Sequence, residues 1–397
     1  MKLLYYFSIC SILLSVACKD SPKKEIAQSS DNINKNVTVA DSNNEVPDTD
    51  VPLIDDQKDY KIKQVLENDG IIWGMDWLPN NELLYTTKQG QVFRFDGKKN
   101  YEIKNIPEVY IRGQGGLMDI TVHPNYKEQP FIYLSYASTS GQGSGGNTTI
   151  ARAKLINDEL TDLNVLYKAV PNTKAGQHFG SRFTWDKEGH LYFSVGDRGN
   201  RDENPQDITR DGGKIYRIMD DGSIPKDNPF VNESGAKTAI YSYGHRNPQG
   251  LTTHPISGKV MDHEHGPRGG DEINTIVKGL NYGWPVISYG INYDGSTFTN
   301  LTQKEGMQQP NWYWKPSIAP SGFAIINNED YGDWNGGYLA GSLKFQYLEL
   351  LYNVDGKVTK REKIADGIGR VRDVSIGPDN YIYISVESKG IYRITPN

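Results

Sequence analysis

The feature that most limits the fold of this 397-residue chain is a recurring unit. It consists of an apolar stretch, a turn of Pro, Asp, Asn or Gly, a strand containing Leu-Tyr or Ile-Tyr, a second turn and another strand. The unit occurs at residues 74–85 with 90–95, at 118–124 with 131–136, at 183–193, and most fully at 374–384 with 390–394. Weaker copies lie at 251–255 and 337–351. Period-2 alternation, many aromatic residues and 41 glycines, with no sustained 3.6-residue apolar period, favour sheet over helix. Six units at this spacing predict an all-β chain, a six-bladed β-propeller of four-stranded antiparallel blades. A pair of β-sandwiches is the competing arrangement. A propeller gathers a loop from every blade around one channel mouth, so residues far apart in sequence can share a site.

The chain opens with Met1-Lys2 and an apolar run from Leu3 to Ala17, too short to span a bilayer as a mature helix, which predicts a secretory signal. The run ends in Ser15-Val16-Ala17-Cys18, which resembles a bacterial lipobox, so we expect a signal peptide over 1–18 and lipidation at Cys18. The other cysteine, Cys10, lies within the signal; the mature chain is then left with no internal disulfide and no thiolate metal site. Residues 19–57 are polar and contain no aromatic residue, the composition of a flexible tether. No linker interrupts 58–397, which is read as one catalytic propeller domain. A net charge of −6 argues against a nucleic-acid surface. The expected setting is export to the periplasm or cell surface, with membrane contact through the lipid alone.

Five stretches carry candidate chemistry. Gly176-Gln177-His178-Phe179-Gly180 places an imidazole among glycines ahead of a strand pair and the polar loop Gly196-Asp197-Arg198-Gly199-Asn200. A sheet edge there can present a base, although a turn histidine is the plain alternative. The glycines of Arg112-Gly113-Gln114-Gly115-Gly116 allow backbone to approach a ligand, or simply turn between blades. Gly244-His245-Arg246-Asn247-Pro248-Gln249-Gly250 holds a guanidinium and an amide as donors for an anion or carbonyl. In Asp262-His263-Glu264-His265-Gly266-Pro267 the two flanking imidazoles share a strand face and raise a transition-metal reading. The run Gly269-Gly270-Asp271-Glu272-Ile273-Asn274 suits hard Ca2+ better, because calcium takes carboxylate and carbonyl oxygens. Lys344 and the alternating pair Arg370 and Arg372 would cradle a polyanion if they faced the channel.

Taken together, the Gly244–Gly250 motif, His265-Gly266-Pro267, Asp271-Glu272-Ile273-Asn274, Asn281-Tyr282-Gly283-Trp284-Pro285, Pro316-Ser317-Ile318-Ala319-Pro320-Ser321-Gly322 and Arg370-Val371-Arg372-Asp373-Val374 resemble the PQQ-dependent sugar dehydrogenases. The likeness is to the soluble glucose and aldose sugar dehydrogenase types and runs from about residue 60 to the end. It implies oxidation of an aldose at its anomeric carbon to a lactone, with pyrroloquinoline quinone (PQQ) and Ca2+ as cofactors. His178 is then the general base, Arg246 stabilises charge on the reduced cofactor, and Gln114 holds the sugar hydroxyl. Lys344, Arg370 and Arg372 meet the cofactor carboxylates, with Asn247 and Ser317 as hydrogen-bond partners. One calcium falls to the carbonyls of Gly266 and Pro267; a second, structural one falls to the Glu272 side chain and the Tyr282 carbonyl. The expected partners are an aldose and an electron acceptor the sequence does not specify, in a monomer or homodimer. Gln177 stands where the glucose-type enzymes carry Asp, so the carboxylate that would orient His178 is expected to be missing. Two competing classes are a non-enzymatic cell-surface propeller that binds carbohydrate or protein, and a calcium-dependent lactonase with a carboxylate-rich channel floor.

Overall fold

The computed structural model describes residues 44–397. The expected signal peptide and lipidated cysteine, and the tether up to residue 43, lie outside the described residues. Two strands precede the first blade: the two-residue β1 (Leu53–Ile54) and the longer β2 (Tyr60–Glu67). The first blade is β3 (Ile72–Trp77), β4 (Leu83–Thr87), β5 (Gln91–Phe95) and β6 (Asn100–Ile103). The second is β7 (Leu117–Val122), β8 (Phe131–Ser138), β9 (Asn147–Ile156) and β10 (Glu159–Lys168). The third is β11 (Phe183–Trp185), β12 (Leu191–Val195), β13 (Lys214–Ile218) and β14 (Ile240–Tyr243). The fourth is β15 (Pro248–Thr253), β16 (Val260–Glu264), β17 (Asp271–Thr275) and β18 (Trp312–Trp314). The fifth is β19 (Pro320–Ile325), β20 (Tyr338–Ser342), β21 (Leu348–Val354) and β22 (Lys357–Ile364). The sixth joins β23 (Val371–Ile376), β24 (Ile382–Val386) and β25 (Gly390–Pro396) to β2.

These six antiparallel sheets form the expected six-bladed propeller. The first strand of each blade packs beside the first strand of the next, and β23 returns to β3, which closes the ring around a channel. Because β2 pairs with β25 in the register Tyr60↔Pro396 to Glu67↔Gly390, the last blade is built from both ends of the domain. β1 adds a parallel fifth strand outside β22, with Leu53 opposite Arg361. The segment expected to be tether up to residue 57 therefore already lies on the fifth blade by residue 53. An edge strand offers unpaired N–H and C=O groups to any extended segment that reaches it, and the Lys363–Asp55 ion pair at 2.8 Å helps hold this one.

Blades stack face to face, so their middle strands are buried on both sides and lose the clean alternation of a half-exposed sheet. β4 and β12 are buried along their full length. Leu84, Val92, Leu117, Ile120, Ile132 and Leu134 fill the space between the first two blades. Leu339, Leu348, Leu350, Val371, Val374 and Ile384 do so between the last two. Each such side chain contributes about 1.5–3 kcal/mol when fully buried. The one charge in the Leu348–Val354 run obeys the requirement that buried carboxylates be partnered: Glu349 accepts from Arg361 Nε at 2.7 Å and Trp314 Nε1 at 2.9 Å.

The channel is bridged halfway along by Arg182. Its guanidinium donates to the carbonyls of Gln249 (2.9 Å) and Arg372 (2.7 Å) and pairs with Asp373 at 2.7 Å and Asp119 at 3.4 Å. The blades carrying these partners are thus tied across the axis, and the channel is divided into two mouths.

Candidate functional site

One mouth opens into a cavity of about 1410 Å³ lined by loops from blades around the ring. Gln114, Asn247, His265, Pro267, Ser317, Lys344, Arg370 and Arg372 all line it. The ring closure thus brings together residues separated by more than 250 positions, as the propeller reading requires.

His178 itself is not among the lining residues but adjoins the cavity-lining Phe179, and it has φ 55°, a left-handed conformation that costs a non-glycine residue strain and persists where the surroundings fix it. The fixing contacts are visible. The His178 N–H donates to Gln114 Oε1 at 2.7 Å, and the Gln114 N–H donates to the Gly176 carbonyl at 2.6 Å. Gly113 (φ 58°) makes that approach possible, since a Cβ there would lie 2.2 Å from the Gly176 oxygen. From below, Arg198 lays its guanidinium 3.4 Å over the Phe179 ring and donates to the Gln177 and Ala175 carbonyls, the latter at 2.7 Å.

The orienting carboxylate expected to be missing is present. His178 Nδ1 lies 2.6 Å from Asp197 Oδ1, 19 residues downstream. Asp197 is itself held by Gly199 N–H (2.7 Å), by Trp284 Nε1–H on Oδ2 (2.9 Å) and through its own N–H to the Arg246 carbonyl (2.8 Å). With Nδ1 as the donor to a carboxylate, Nε2 is the ring's acceptor. Burial, then the nearby Arg246 charge, push the His178 pKa below its ordinary value, while Asp197 works against them. The imidazole is therefore neutral at pH 7, the form a base needs. Burial pushes Asp197 upward, yet its hydrogen bond with His178 and the nearby Arg246 charge leave it below its ordinary value. Gln177 thus costs the site nothing in orientation, because the loop after β12 reaches the ring from the other side.

Arg246 is buried and donates through Nη1 to the carbonyls of His265 (2.9 Å) and Gly266 (2.7 Å), with its plane 5.3 Å over Trp284. The loop that carries it is pinned by Glu264, which accepts from the Arg246 and Asn247 N–H groups and contacts His245 Nδ1 at 3.0 Å. Asn247 Oδ1 accepts from Gly180 N–H at 3.1 Å, and its buried Nδ2 has no partner. A buried amide left half-paired facing a cavity is ready to donate to a ligand.

Across the cavity, Arg370 and Arg372 share Glu387: Arg370 Nε reaches it at 2.6 Å and Arg372 Nε at 2.9 Å. Glu387 is pushed up by burial but held below its ordinary pKa by the two guanidinium groups. Lys88 lines the same wall, its pKa lowered by burial and by Arg372. Lys344 is exposed beside Phe345.

The motifs read as metal loops divide differently in space. Asp271 is a loop tie rather than a calcium ligand: its oxygens accept from the N–H groups of Gly266 (2.9 Å), Ile318 (2.8 Å) and Ala319 (3.0 Å). Burial raises its pKa to about 6. The transition-metal reading of His263 and His265 is not supported, since each ring bonds a carbonyl of the fifth blade, Gly322 at 2.9 Å and Pro320 at 2.7 Å. The cluster that does form lies on the other face of β16 and β17, where Glu264 is opposite Glu272 and Asp262 opposite Asn274. Donor atoms of His245, Asp262 and Glu264 lie within 4.8 Å of one another. Both Asp262 oxygens and both Asn274 side-chain atoms are buried without hydrogen-bond partners. Tyr282 packs on this cluster, its ring 4.5 Å from that of His245.

Sequence reasoning missed Asp197 as the base's partner, Glu387, Lys88 and the Asp262–Glu264 pair. Asp197 stood in a quoted loop, and Glu264 in a quoted motif; Glu387 and Lys88 had no local pattern to reveal them.

The Glucose / Sorbosone dehydrogenase family matches residues 70–393. The chain is 38% identical over 335 residues to Escherichia coli (strain K12) aldose sugar dehydrogenase YliI, covering 82% of this chain and 90% of that protein. It is 31% identical over 288 residues to quinoprotein glucose dehydrogenase B of Acinetobacter calcoaceticus, covering 64% and 59%. The crystal structure of the soluble aldose sugar dehydrogenase of E. coli in its apo form superposes with a TM-score of 0.81 at 35% identity, covering 85% of this chain and all of that one.

Proposed function

The chain belongs to the Glucose / Sorbosone dehydrogenase family, the PQQ-dependent sugar dehydrogenases, and from that premise we propose that it oxidises aldoses at the anomeric carbon to lactones using PQQ and Ca2+. The observation that carries this reading is the His178–Asp197 pair, with the His178 N–H held by the cavity-lining Gln114, beside the cavity that Lys344, Arg370 and Arg372 line.

The residues present fit both groups. The cavity is large enough for a fused tricyclic quinone, its wall is cationic, and the unpartnered Asn247 amide faces the ligand space. Lys344, Arg370 and Arg372 would hold the quinone's carboxylates, with Asn247 and Ser317 hydrogen-bonding to it. The carbonyls of Gly266 and Pro267 would serve one Ca2+. Glu272 and the Tyr282 carbonyl would serve a second, beside the unpartnered Asp262. When bound, the quinone supplies the two-electron acceptor and the calcium a Lewis acid that raises its electrophilicity.

The protein's own part follows from the geometry. His178 Nε2 takes the proton of the anomeric hydroxyl as hydride leaves the sugar carbon. Asp197 fixes the tautomer and stabilises the imidazolium that forms. Gln114 has its Oε1 committed to the His178 N–H, so its Nε2–H remains to hold a sugar oxygen. The Arg246 N–H groups not engaged by His265 and Gly266 stabilise negative charge developing in the cavity. We place the enzyme in the periplasm or at the cell surface on a lipid anchor at Cys18; no helix among the described residues is long and apolar enough to cross a membrane.

The test is reconstitution: purified protein is given PQQ and Ca2+, and reduction of an artificial dye is followed with a panel of aldoses. Turnover that disappears on chelation is the expected result. Failure to bind quinone at any calcium concentration would sink the proposal, and binding without turnover would favour a non-catalytic binding propeller.

A further inference from the structure

The charges around the cavity do not balance evenly. Six cations line it, namely Lys88, Arg268, Lys315, Lys344, Arg370 and Arg372, against the single carboxylate Glu387. This stands out in a chain whose net charge is −6. In the quinone-dependent reading above Lys344, Arg370 and Arg372 meet the cofactor carboxylates, and Lys88 stands in the field of Glu387 without a direct ion pair. Arg268 and Lys315 are left over.

The two leftover cations form a pair on one rim. The Gly270 N–H donates to the Trp314 carbonyl at 2.8 Å, which sets the Arg268-Gly269-Gly270 turn beside Lys315. The Lys315 stem lies along Gly269, 3.6 Å from where a Cβ would stand, and Arg268 Nη1 leans on the Gly295 turn at the same distance. Both side chains are exposed, and neither makes an ion pair among the described residues. Aromatic rings line the same cavity: Tyr289, which stacks on Tyr313 at 3.8 Å, and Tyr293, which is 73% exposed. Two free cations beside exposed rings suit a sugar ring that bears a negative charge. A neutral sugar would take only hydrogen bonds from them, without the added charge–charge attraction.

Resting on that reading, we propose that the substrate is an aldose carrying an anionic group, phosphate or carboxylate, remote from its anomeric carbon, and that Arg268 and Lys315 bind this group. The anomeric end then faces His178 while the charged end lies on the opposite rim.

The experiment compares glucose, glucose 6-phosphate and glucuronate as substrates of the PQQ- and Ca2+-loaded protein. Either charged sugar should exceed glucose in kcat/KM by about tenfold, the worth of one charge-assisted hydrogen bond. The preference should shrink as salt screens the rim. Whichever charged sugar is favoured identifies the group as phosphate or carboxylate. In the double variant Arg268→Gln with Lys315→Gln, the ratio of KM for the charged sugar to KM for glucose should rise by about the same factor. A binding readout runs alongside, in which calorimetry measures the same three sugars on quinone-loaded His178→Ala protein, with and without the double substitution. Equal handling of charged and neutral sugars, or a preference that survives the double substitution, overturns the proposal. Absence of turnover with every sugar sinks the dehydrogenase reading instead. The calorimetric arm then still decides this one, since charged-sugar binding lost in the double variant supports it and equal binding refutes it.

Discussion

The two mouths of the channel hold opposite charges in opposite states. At the cavity mouth the charges are six cations and the carboxylate of Glu387, and four of the six cations make no ion pair among the described residues. The other mouth opens on a smaller space of about 400 Å³ whose charged lining is the carboxylates of Asp76, Asp119 and Asp373 with Arg182 among them. These acids are fully engaged. Asp76 of the first blade accepts from the Val122 N–H of the second at 2.7 Å. Asp119 of the second accepts from Phe183 N–H of the third at 2.9 Å, and Asp373 of the sixth from Met75 N–H of the first at 3.0 Å. Each carboxylate staples its blade to the next. A charge satisfied by backbone builds the ring, whereas a charge left open on the same ring awaits a ligand.

Substitutions at the two mouths should therefore separate activity from stability. The largest effect is expected from His178→Ala at the open mouth: kcat falls by a factor of about 10²–10⁴, the usual worth of a general base, while quinone titration shows the cofactor still bound. Loss of quinone binding in this variant would mean that the base loop builds the cradle too. Next, Arg182→Met strands Asp119 and Asp373 without their cation and should cost about 3–5 kcal/mol in urea unfolding. A loss under about 1 kcal/mol would break the assignment of that mouth to structure.

Asp197→Asn is expected to act on chemistry with a smaller factor and a directional signature. Asp197 raises the His178 pKa against burial and Arg246, so its removal lowers that pKa further. The acid limb of the kcat/KM profile should move to lower pH while the plateau falls, and an unmoved limb would refute the pairing. The smallest effect concerns Asp76, whose carboxyl burial pushes up to about 6. A carboxyl whose pKa is raised on folding stabilises most below its unfolded value near 4, and that contribution is lost as pH rises through about 6. Asp76→Asn should flatten this part of the stability profile, read from melting temperatures between pH 4 and 8.

The fold was legible because its unit repeats: Leu83-Leu84-Tyr85, Ile132-Tyr133-Leu134 and Ile382-Tyr383-Ile384 occupy equivalent second strands of their blades. Several residues of the candidate site were legible as well, because Arg370-Val371-Arg372 and Gly176-Gln177-His178 are local patterns. What stayed hidden was pairing across blades or loops. Gln177 suggested an unsupported base because the eye looks next door, yet the partner arrives from the loop after β12. Glu387 terminates an ordinary strand and acquires meaning only when β24 ends beside Arg370 and Arg372. Asp271 lies in a run read as suiting Ca2+, but three backbone N–H groups claim its carboxylate once β17 and β19 are packed. The position of β1 was invisible because two residues carry no periodicity.

The closure of the sixth blade has a consequence in time. β2 lies ahead of the first blade and β25 at the far end of the sequence, so the ring cannot be sealed until the last strand has been made and delivered. Contacts of this span form late, since the chain must first surrender the entropy of a loop that encloses nearly the whole domain. Arg370, Arg372 and Glu387 belong to that final blade, and His178 to the third. A partly emerged chain can therefore hold its base loop but not its cradle. A ligand that needs both sides of the cavity can be accepted only at the last event of assembly, by a finished ring.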